Sequence, residues 1–183
     1  MELETATLAG GCFWCTEAIF KRLKGVEAVV SGYSGGNFDK PNYEQVSSGQ
    51  TGHAEAIQIR FDPKIISFEH LLDIFWATHD PTTLNKQGAD EGTQYRSSIF
   101  YHSQEQKKLA EQSKKKMEDS GKVTRIVTEI VPFEKFFTAE EYHQDFYDTY
   151  KGANQYCSIV IDPKVKKLLE QFNSDVKEEY QHE

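Results

Sequence analysis

Apolar and polar positions follow two periods along this chain, one typical of strands and the other of helices. Between residues 55 and 61 the two kinds of residue alternate, which predicts a strand with one buried face. Residues 68–76 carry apolar side chains at helical spacing, and Ser67 stands where an N-cap is expected. The same patterns, with glycines and capping sequences at their ends, predict further strands at 7–11, 26–30, 96–101 and 123–131 and helices at 12–24, 43–47 and 103–120.

Two later segments carry helix-start signals of their own. Thr138 and Glu141 fit a capping box, in which each side chain bonds the other residue's backbone. Asp162 followed by Pro163 fits an N-cap and the first helical position, and predicts a final helix. Between 31 and 52 the many glycines predict a long loop around the short helix at 43–47, and long ordered loops are usually functional.

Strands and helices in this mixed order predict an α+β fold. Roughly four strands with helices between them favour a sandwich in which a sheet carries its helices mainly on one side, with doubly wound α/β as the runner-up. The sequence has no internal repeat, low-complexity tract or long linker, and its 183 residues are 38% hydrophobic, enough to bury one core. We therefore expect a single domain over 1–183.

Charge and composition argue against several partners. The formal net charge is −8, so the average surface would repel nucleic acid and anionic membranes. No apolar run is long enough for a membrane span, and residues 1–4 are acidic where a secretory signal is basic and then apolar. We expect the protein to stay in the cytoplasm, where its three cysteines favour a catalytic or redox role over structural disulfides.

The most informative motif is GCFWC at 11–15, which places two of the three cysteines around Phe13 and Trp14. Cys12 stands at a predicted helix N-terminus, whose free N–H groups and dipole favour a thiolate, so we expect a lowered pKa and a nucleophilic sulfur. Cys15 lies one turn further on, close enough to attack it. A CxxC pair in such a chain is typical of redox proteins, although free cysteines are also common as inert buried thiols.

A second chemical signal is Glu55, at the leading end of the strand predicted at 55–61. It shares the alternating face with Ile57, Ile59 and Phe61, so its carboxyl is predicted to point inward. Burial raises the pKa of a carboxyl and makes it a proton donor near neutral pH. A residue at the first position of a strand can equally turn toward solvent, and periodicity alone leaves both alternatives open.

Five motifs together resemble one known family, methionine sulfoxide reductase A. They are GCFWC at 11–15, GHAE at 52–55, HDPT at 79–82, the run from Gln87 to Ser97, and EYHQ at 141–144. The match runs in the family's order and at similar spacing over residues 6–167, which is most of the chain. The resemblance implies a ferredoxin-like α/β sandwich with a mixed sheet, and reduction of the S epimer of methionine sulfoxide, free or in oxidised proteins, to methionine.

The resemblance also implies roles for individual residues. Cys12 matches the family's catalytic nucleophile, and Glu55 matches its acid. Phe13 and Trp14 match the aromatic side chains that hold the methyl group of the substrate. A sulfoxide sulfur accepts a thiolate poorly until its oxygen is protonated, so a nucleophile and a buried acid must meet at one place.

Three further residues match groups around the sulfoxide oxygen. Tyr43 and Tyr95 match hydroxyls that bond this oxygen, and Asp90 matches a carboxylate that binds it through water. A thioredoxin-type dithiol would restore the thiols after each turnover. No metal, flavin or nucleotide cofactor is expected.

The sequence departs from many members of the family at its resolving cysteines. Many members carry Gly where this chain has Cys15, and some place resolving cysteines in a glycine-rich C-terminal tail that is absent here. We expect Cys15 to form a disulfide with the Cys12 sulfenic acid, because its proximity follows from the sequence. Cys157, which precedes an apolar stretch at 159–161, is the alternative resolver or a core thiol at the end of a strand.

Two functions from other classes remain open. A thioredoxin-like thiol–disulfide oxidoreductase would also use a CxxC pair, although Phe13 and Trp14 would be unusually bulky between its cysteines. A zinc module would combine the three cysteines with His53 or His143, but zinc sites usually have two close ligand pairs and here the second pair is missing.

Overall fold

The computed structural model describes residues 2–183. Its strands are β1 (Glu4–Gly10), β2 (Val26–Ser34), β3 (Ala54–Phe61), β4 (Lys86–Gln87), β5 (Asp90–Glu91), β6 (Ser97–Tyr101), β7 (Glu129–Pro132) and β8 (Phe136–Thr138). Its α-helices are α1 (Phe13–Lys21), α2 (Tyr43–Ser47), α3 (Phe68–Thr78), α4 (Gln104–Asp119), α5 (Phe146–Tyr150) and α6 (Asp162–Phe172). A π-helical turn, Cys157–Ile161, leads directly into α6.

Six strands form one mixed sheet in the order β7-β6-β1-β3-β2-β8, and β4 pairs with β5 as a separate hairpin. Neighbours in the large sheet are antiparallel, except for the parallel pair β6 and β7. The predicted α+β class with a mixed sheet is therefore confirmed, and the doubly wound runner-up is wrong. Neither β8 nor the β4–β5 hairpin was predicted, because strands of two or three residues are too short to show alternation.

The main core lies between the sheet and helices α1, α3 and α6. Ile57 and Ile59 from β3 belong to the same buried cluster as Ile19 from α1 and Phe75 from α3. A smaller cluster on the other face of the sheet consists of Ala9, Ala54, Ala56 and Phe100. The buried face predicted at 55–61 is confirmed, because the residues that share a face with Ile57 are all buried, whereas Ala56 on the opposite face is buried as well.

Local helix-start signals are confirmed at several positions. Ser67 accepts the backbone N–H of His70 at 3.1 Å and caps α3. Ser103 likewise caps α4, although the side chain of Gln106 accepts the N–H of His102 and not that of Ser103. The short helix predicted at 43–47 is present as α2.

Two predicted boundaries between residues 123 and 141 are wrong. The strand predicted at 123–131 is confined to its last residues, Glu129–Pro132. Thr138 does not open a helix, because it pairs with Gly32 as the last residue of β8. The turn that follows begins only at Glu141.

The start of the last helix also differs from the prediction. Asp162 is not an N-cap, because the π-helical turn continues into α6. Its carboxylate instead accepts the hydroxyl of Tyr147 at 2.7 Å. Cys157 therefore lies in a helical turn, and its predicted place at the end of a strand is wrong.

Candidate active site

Two glycines carry the chain from β1 into α1 and present Cys12. A Cβ on Gly10 would lie 2.9 Å from the Phe75 ring, and Gly11 has a φ of +92°, a conformation that favours glycine. Cys12 follows as the N-cap of α1, and its carbonyl accepts the N–H of Cys15 at 3.1 Å. Cys12 is only 8% exposed, so the sulfur sits at the floor of the site.

The pKa of the Cys12 thiol is raised, so the lowering predicted from the helix N-terminus is wrong. Burial is the largest cause, and a hydrogen bond with Cys15 and the charge of Glu55 act in the same direction. A hydrogen bond with Tyr156 acts the other way. A helix terminus is worth at most about 2 kcal/mol, and here desolvation of the thiolate outweighs it. The resting site therefore holds Cys12 as a thiol near neutral pH.

Glu55 is buried beside the start of α1, with 2% of its surface exposed. Its Oε2 accepts the backbone N–H of Phe13 at 3.0 Å. Burial raises the pKa of this carboxyl to about 8, against the opposing effect of the Phe13 N–H and with support from the charge of Asp90. The predicted inward orientation is confirmed, and the carboxyl is mostly protonated near neutral pH.

Aromatic rings form one wall of the site. The Trp14 indole stacks on Phe146 with ring centroids 3.7 Å apart and planes 5° from parallel, and it meets Tyr156 edge-on at 5.6 Å. Its Nε1–H donates to Nδ1 of His143 at 3.0 Å. Phe13 is fully buried, whereas Trp14 keeps part of its surface accessible. Trp14 therefore offers accessible apolar surface, whereas Phe13 belongs to the buried core.

Three polar residues predicted from separate parts of the sequence converge on this wall. Tyr43 opens α2, Asp90 opens β5, and Tyr95 ends a 3₁₀ turn, and all three are half-buried. Burial and then the charge of Glu55 raise the pKa of both tyrosines. Asp90 and Cys12 add to the effect on Tyr95. The structure thus brings these side chains together with the predicted nucleophile and acid.

Tyr156 is a site residue that the sequence analysis missed. Its hydroxyl donates to Oδ2 of Asp90 at 2.6 Å and lies 3.8 Å from the Sγ of Cys15. It therefore links the carboxylate to the cysteine pair. Its only sequence signal was its place beside Cys157, because the π-helical turn that positions it has no local pattern.

Glu140 and His143 were missed as parts of this site, although His143 was considered as a zinc ligand. The Glu140 carboxylate accepts the N–H of Tyr43 at 3.2 Å and the hydroxyl of Tyr142 at 3.1 Å. The same carboxylate lies 3.6 Å from Nε2 of His143. The EYHQ motif at 141–144 pointed to this segment of the chain, but a motif does not show which residues its side chains contact.

Tertiary packing brings Cys157 to α1, the helix that carries Cys15. Cys157 is fully buried, and its helical turn packs against α1. Burial raises its pKa, and the charges of Asp162 and Cys15 add to the effect. All three cysteines are free thiols. The approach of Cys157 to Cys15 could not be deduced from their separation in sequence.

Residues 2–183 contain neither a cluster of metal-binding side chains nor a membrane-spanning helix. No group of three or more His, Cys, Asp and Glu side chains in this range is placed to hold a metal ion. The residues considered for a zinc module therefore do not form a ligand cluster. Within the same range no helix combines the length and apolar character needed to cross a membrane.

Two neighbouring thiols beside a carboxyl that keeps its proton near neutral pH are typical of a thiol-dependent oxidoreductase. Comparison with known proteins narrows this class. The sequence model of peptide methionine sulfoxide reductases matches residues 4–177. The chain belongs to this family.

Individual relatives agree with the family match. A peptide methionine sulfoxide reductase MsrA of Sulfolobus acidocaldarius is 58% identical over 171 residues, which cover 93% of this chain and 96% of that protein. The crystal structure of Mxr1 from Saccharomyces cerevisiae in its reduced form is 36% identical, with a TM-score of 0.77 over 84% of this chain and 88% of that one. Mxr1 in complex with Trx2 aligns at 28% identity and a TM-score of 0.55, over 78% of this chain and 84% of that one.

Proposed function

We propose that this protein reduces methionine sulfoxide, free or in oxidised proteins, to methionine with Cys12 as the nucleophile and Glu55 as the acid. The observation that carries the proposal is the meeting of these two groups at the start of α1. Glu55 bonds the backbone of the first helical residue, directly after Cys12. Its pKa of about 8 keeps a proton available at the pH where the reaction runs.

The first step transfers oxygen from one sulfur to another. Glu55 gives its proton to the sulfoxide oxygen while the Cys12 sulfur attacks the sulfoxide sulfur, and the Cys12 proton replaces the one that Glu55 gave. Collapse releases methionine, reduced by two electrons, and leaves Cys12 as a sulfenic acid, oxidised by two. A protonated Glu55 carries no charge, so it no longer raises the pKa of Cys12.

The second step forms a disulfide. The Cys15 thiol attacks the sulfenic acid, an S–S bond to Cys12 forms, and water leaves. The contact of both cysteines with Tyr156 supports this pairing. A thioredoxin-type dithiol then restores both thiols by exchange, which the structure of the similar Mxr1 in complex with Trx2 supports.

The aromatic wall and the hydroxyl groups support a fixed orientation of the substrate. We infer that Trp14, backed by Phe13, holds the methyl group, and that Tyr43 and Tyr95 bond the sulfoxide oxygen. Asp90 would reach this oxygen through water. Methyl and oxygen sites on different sides of one sulfur accept a single handedness.

The test of this function is the fate of the two sulfoxide epimers. We expect the protein, supplied with dithiothreitol and a mixture of epimers, to consume the S epimer and leave the R epimer. Chiral chromatography of the remaining substrate measures this directly. Equal consumption of both epimers would overturn the proposed pocket, and reduction of a protein disulfide without any sulfoxide reduction would favour a thiol–disulfide oxidoreductase.

We further propose that the fold is ferredoxin-like. Apart from the short helix α2 and the β4–β5 hairpin, the elements β1, α1, β2, β3, α3 and β6 follow one another as β-α-β-β-α-β, and these four strands are neighbours in the order β6-β1-β3-β2. Contacts among α1, α3 and α6 support a helical layer mainly on one side. One cluster that runs from Ala6 to Val176 supports a single domain over 1–183.

The location of the protein is also a proposal. Three free cysteines without a disulfide framework are typical of a reducing compartment. We therefore propose that the protein works in the cytoplasm, where dithiol reductants are present.

A further inference from the structure

His143 lies behind the aromatic wall at the meeting point of several side chains. It is 1% exposed, and its ring centroid lies 5.1 Å from that of Phe13 and 4.4 Å from that of Tyr43. Its Nδ1 accepts the indole N–H of Trp14 at 3.0 Å. One buried imidazole therefore touches three of the side chains assigned to substrate binding.

The hydrogen bond from Trp14 fixes the tautomer of this histidine. Because Nδ1 accepts a proton, the ring's own proton sits on Nε2. Nε2 lies 3.6 Å from Oε2 of Glu140, too far for a hydrogen bond, and it has no other partner among residues 2–183. A buried polar atom left without a partner costs free energy. The ring is therefore held here by the bond to Trp14 and by its aromatic contacts.

Stacking on Phe146 fixes the plane of the Trp14 indole but not which of its edges faces the site. The Trp14 plane lies 5° from that of Phe146, and a half-turn of the indole about its Cβ–Cγ bond would keep the two rings parallel while moving Nε1 to the opposite edge. A hydrogen bond at Nε1 stops this rotation. It thereby determines which edge of the indole faces the site.

We propose that His143 is a positioning residue, which orients the Trp14 indole for the methyl group of the substrate without touching the substrate itself. This inference rests on the proposed function, because it assigns Trp14 to the methyl site. Loss of the acceptor leaves the indole N–H without its partner and frees the ring. Substrate binding then weakens more than the chemical step.

A double-mutant cycle tests whether His143 acts through Trp14. We expect His143→Leu to raise KM for methionine sulfoxide by about fivefold to tenfold with a smaller change in kcat. In a Trp14→Phe background, which lacks the indole N–H, the same change should have less than about a twofold effect. His143→Asn, which places an oxygen near the position of Nδ1, should recover part of the loss. Equal effects of His143→Leu in both backgrounds would overturn the proposal.

Nuclear magnetic resonance of the indole N–H groups reports the hydrogen bond without any turnover. The chain has two tryptophans, and the second, Trp76, donates to Ser113 at 2.8 Å. His143→Leu should shift the Trp14 resonance and leave that of Trp76 in place, so Trp76 serves as the folding control. An unmoved Trp14 resonance in a folded variant would contradict the inference. A wild-type protein that shows the bonded Trp14 resonance but forms no methionine would instead contradict the proposed function.

Discussion

At the scale of single residues, the environment of each side chain sets its chemistry more than its position on an element. Cys12 stands at a helix N-terminus, yet burial, together with a hydrogen bond with Cys15, raises its pKa. The same burial raises the pKa of Glu55 to about 8. The site thus pairs a thiol with a carboxylic acid, and approach of a sulfoxide oxygen gives that acid a proton acceptor.

Replacement of the acid tests this pairing. Glu55→Gln should keep the fold but lower the rate of the first methionine release by roughly 10²–10⁴-fold, because the amide has no proton to give. The wild-type rate should fall above about pH 8, where the carboxyl ionises, and the variant should lack this limb. Single-turnover assays across pH measure both. Unchanged rates would show that Glu55 is only a strand residue.

The same substitution should also change the stability of the protein with pH. The pKa of Glu55 is about 8 in the fold and 4.5 ordinarily, so the fold favours the protonated carboxyl. This contribution to stability is fully present below pH 4.5 and is lost as the pH rises from 4.5 through about 8. Glu55→Gln should therefore gain stability over the wild type at about pH 9 and differ little at about pH 4. Urea denaturation measures the difference. Glu17→Gln is the matched control, because Glu17 is also buried with a pKa near 7 but lies outside the proposed machinery.

At the scale of elements, the turn at Cys157–Ile161 determines which cysteines meet. It packs on α1, places the Tyr156 hydroxyl against Asp90, and buries Cys157. π-Helical turns are rare and often occur at functional sites. The turn therefore holds Cys157 next to α1, the helix that carries Cys15.

Serine variants separate the two cysteines. Cys15→Ser should still form about one methionine per enzyme, lose turnover with thioredoxin, and leave a sulfenic acid on Cys12 that dimedone labels. Cys157→Ser should turn over nearly normally, because we assign Cys157 to the core. A Cys157 variant that stalls after an initial burst, with the dimedone adduct persisting on Cys12, would reverse this assignment.

Elements that the sequence specifies locally were predictable, and those that depend on distant partners were not. Ser67 before an apolar stripe and the alternation after Glu55 are local signals, and both are confirmed. Thr138 fitted a capping box, but pairing with Gly32 on β2 decides its structure. The π-helical turn and the contacts of Tyr156 depend on tertiary packing, so no period in the sequence could reveal them.

At the scale of the whole molecule, one buried cation ties α1 to the later parts of the chain. Arg22 is fully buried and bonds Asp148 at 2.6 Å and Glu183 at 2.8 Å. The rings of Tyr147 and Tyr180 lie 5.0 and 4.6 Å from its guanidinium carbon. The cluster thus holds the C-terminal end of α1, the helix that begins directly after Cys12.

Loss of this cation should destabilise the fold without changing the chemistry. We expect Arg22→Met to lower the free energy of unfolding by roughly 2–4 kcal/mol, because two partly buried carboxylates lose their buried partner and keep only the more exposed Lys21 and Lys151. Lys21→Met is the control, since Lys21 also pairs with Asp148 but is more exposed. Urea denaturation should show the larger loss for Arg22→Met, with the single-turnover rate of folded protein unchanged. Equal losses of unfolding free energy in the two variants would show that the buried ion pairs of Arg22 stabilise the fold no more than those of the more exposed Lys21.

We propose that the Sγ of Cys12 takes the oxygen from methionine sulfoxide. The most direct measurement is methionine released in a single turnover by Cys12→Ser in the presence of dithiothreitol, compared with the wild type. We predict about one methionine per wild-type enzyme in the first turnover and none from the variant, because a serine hydroxyl is a far weaker nucleophile and cannot form a sulfenic acid. Methionine release by the Cys12→Ser protein would contradict the account and assign the nucleophile to another cysteine.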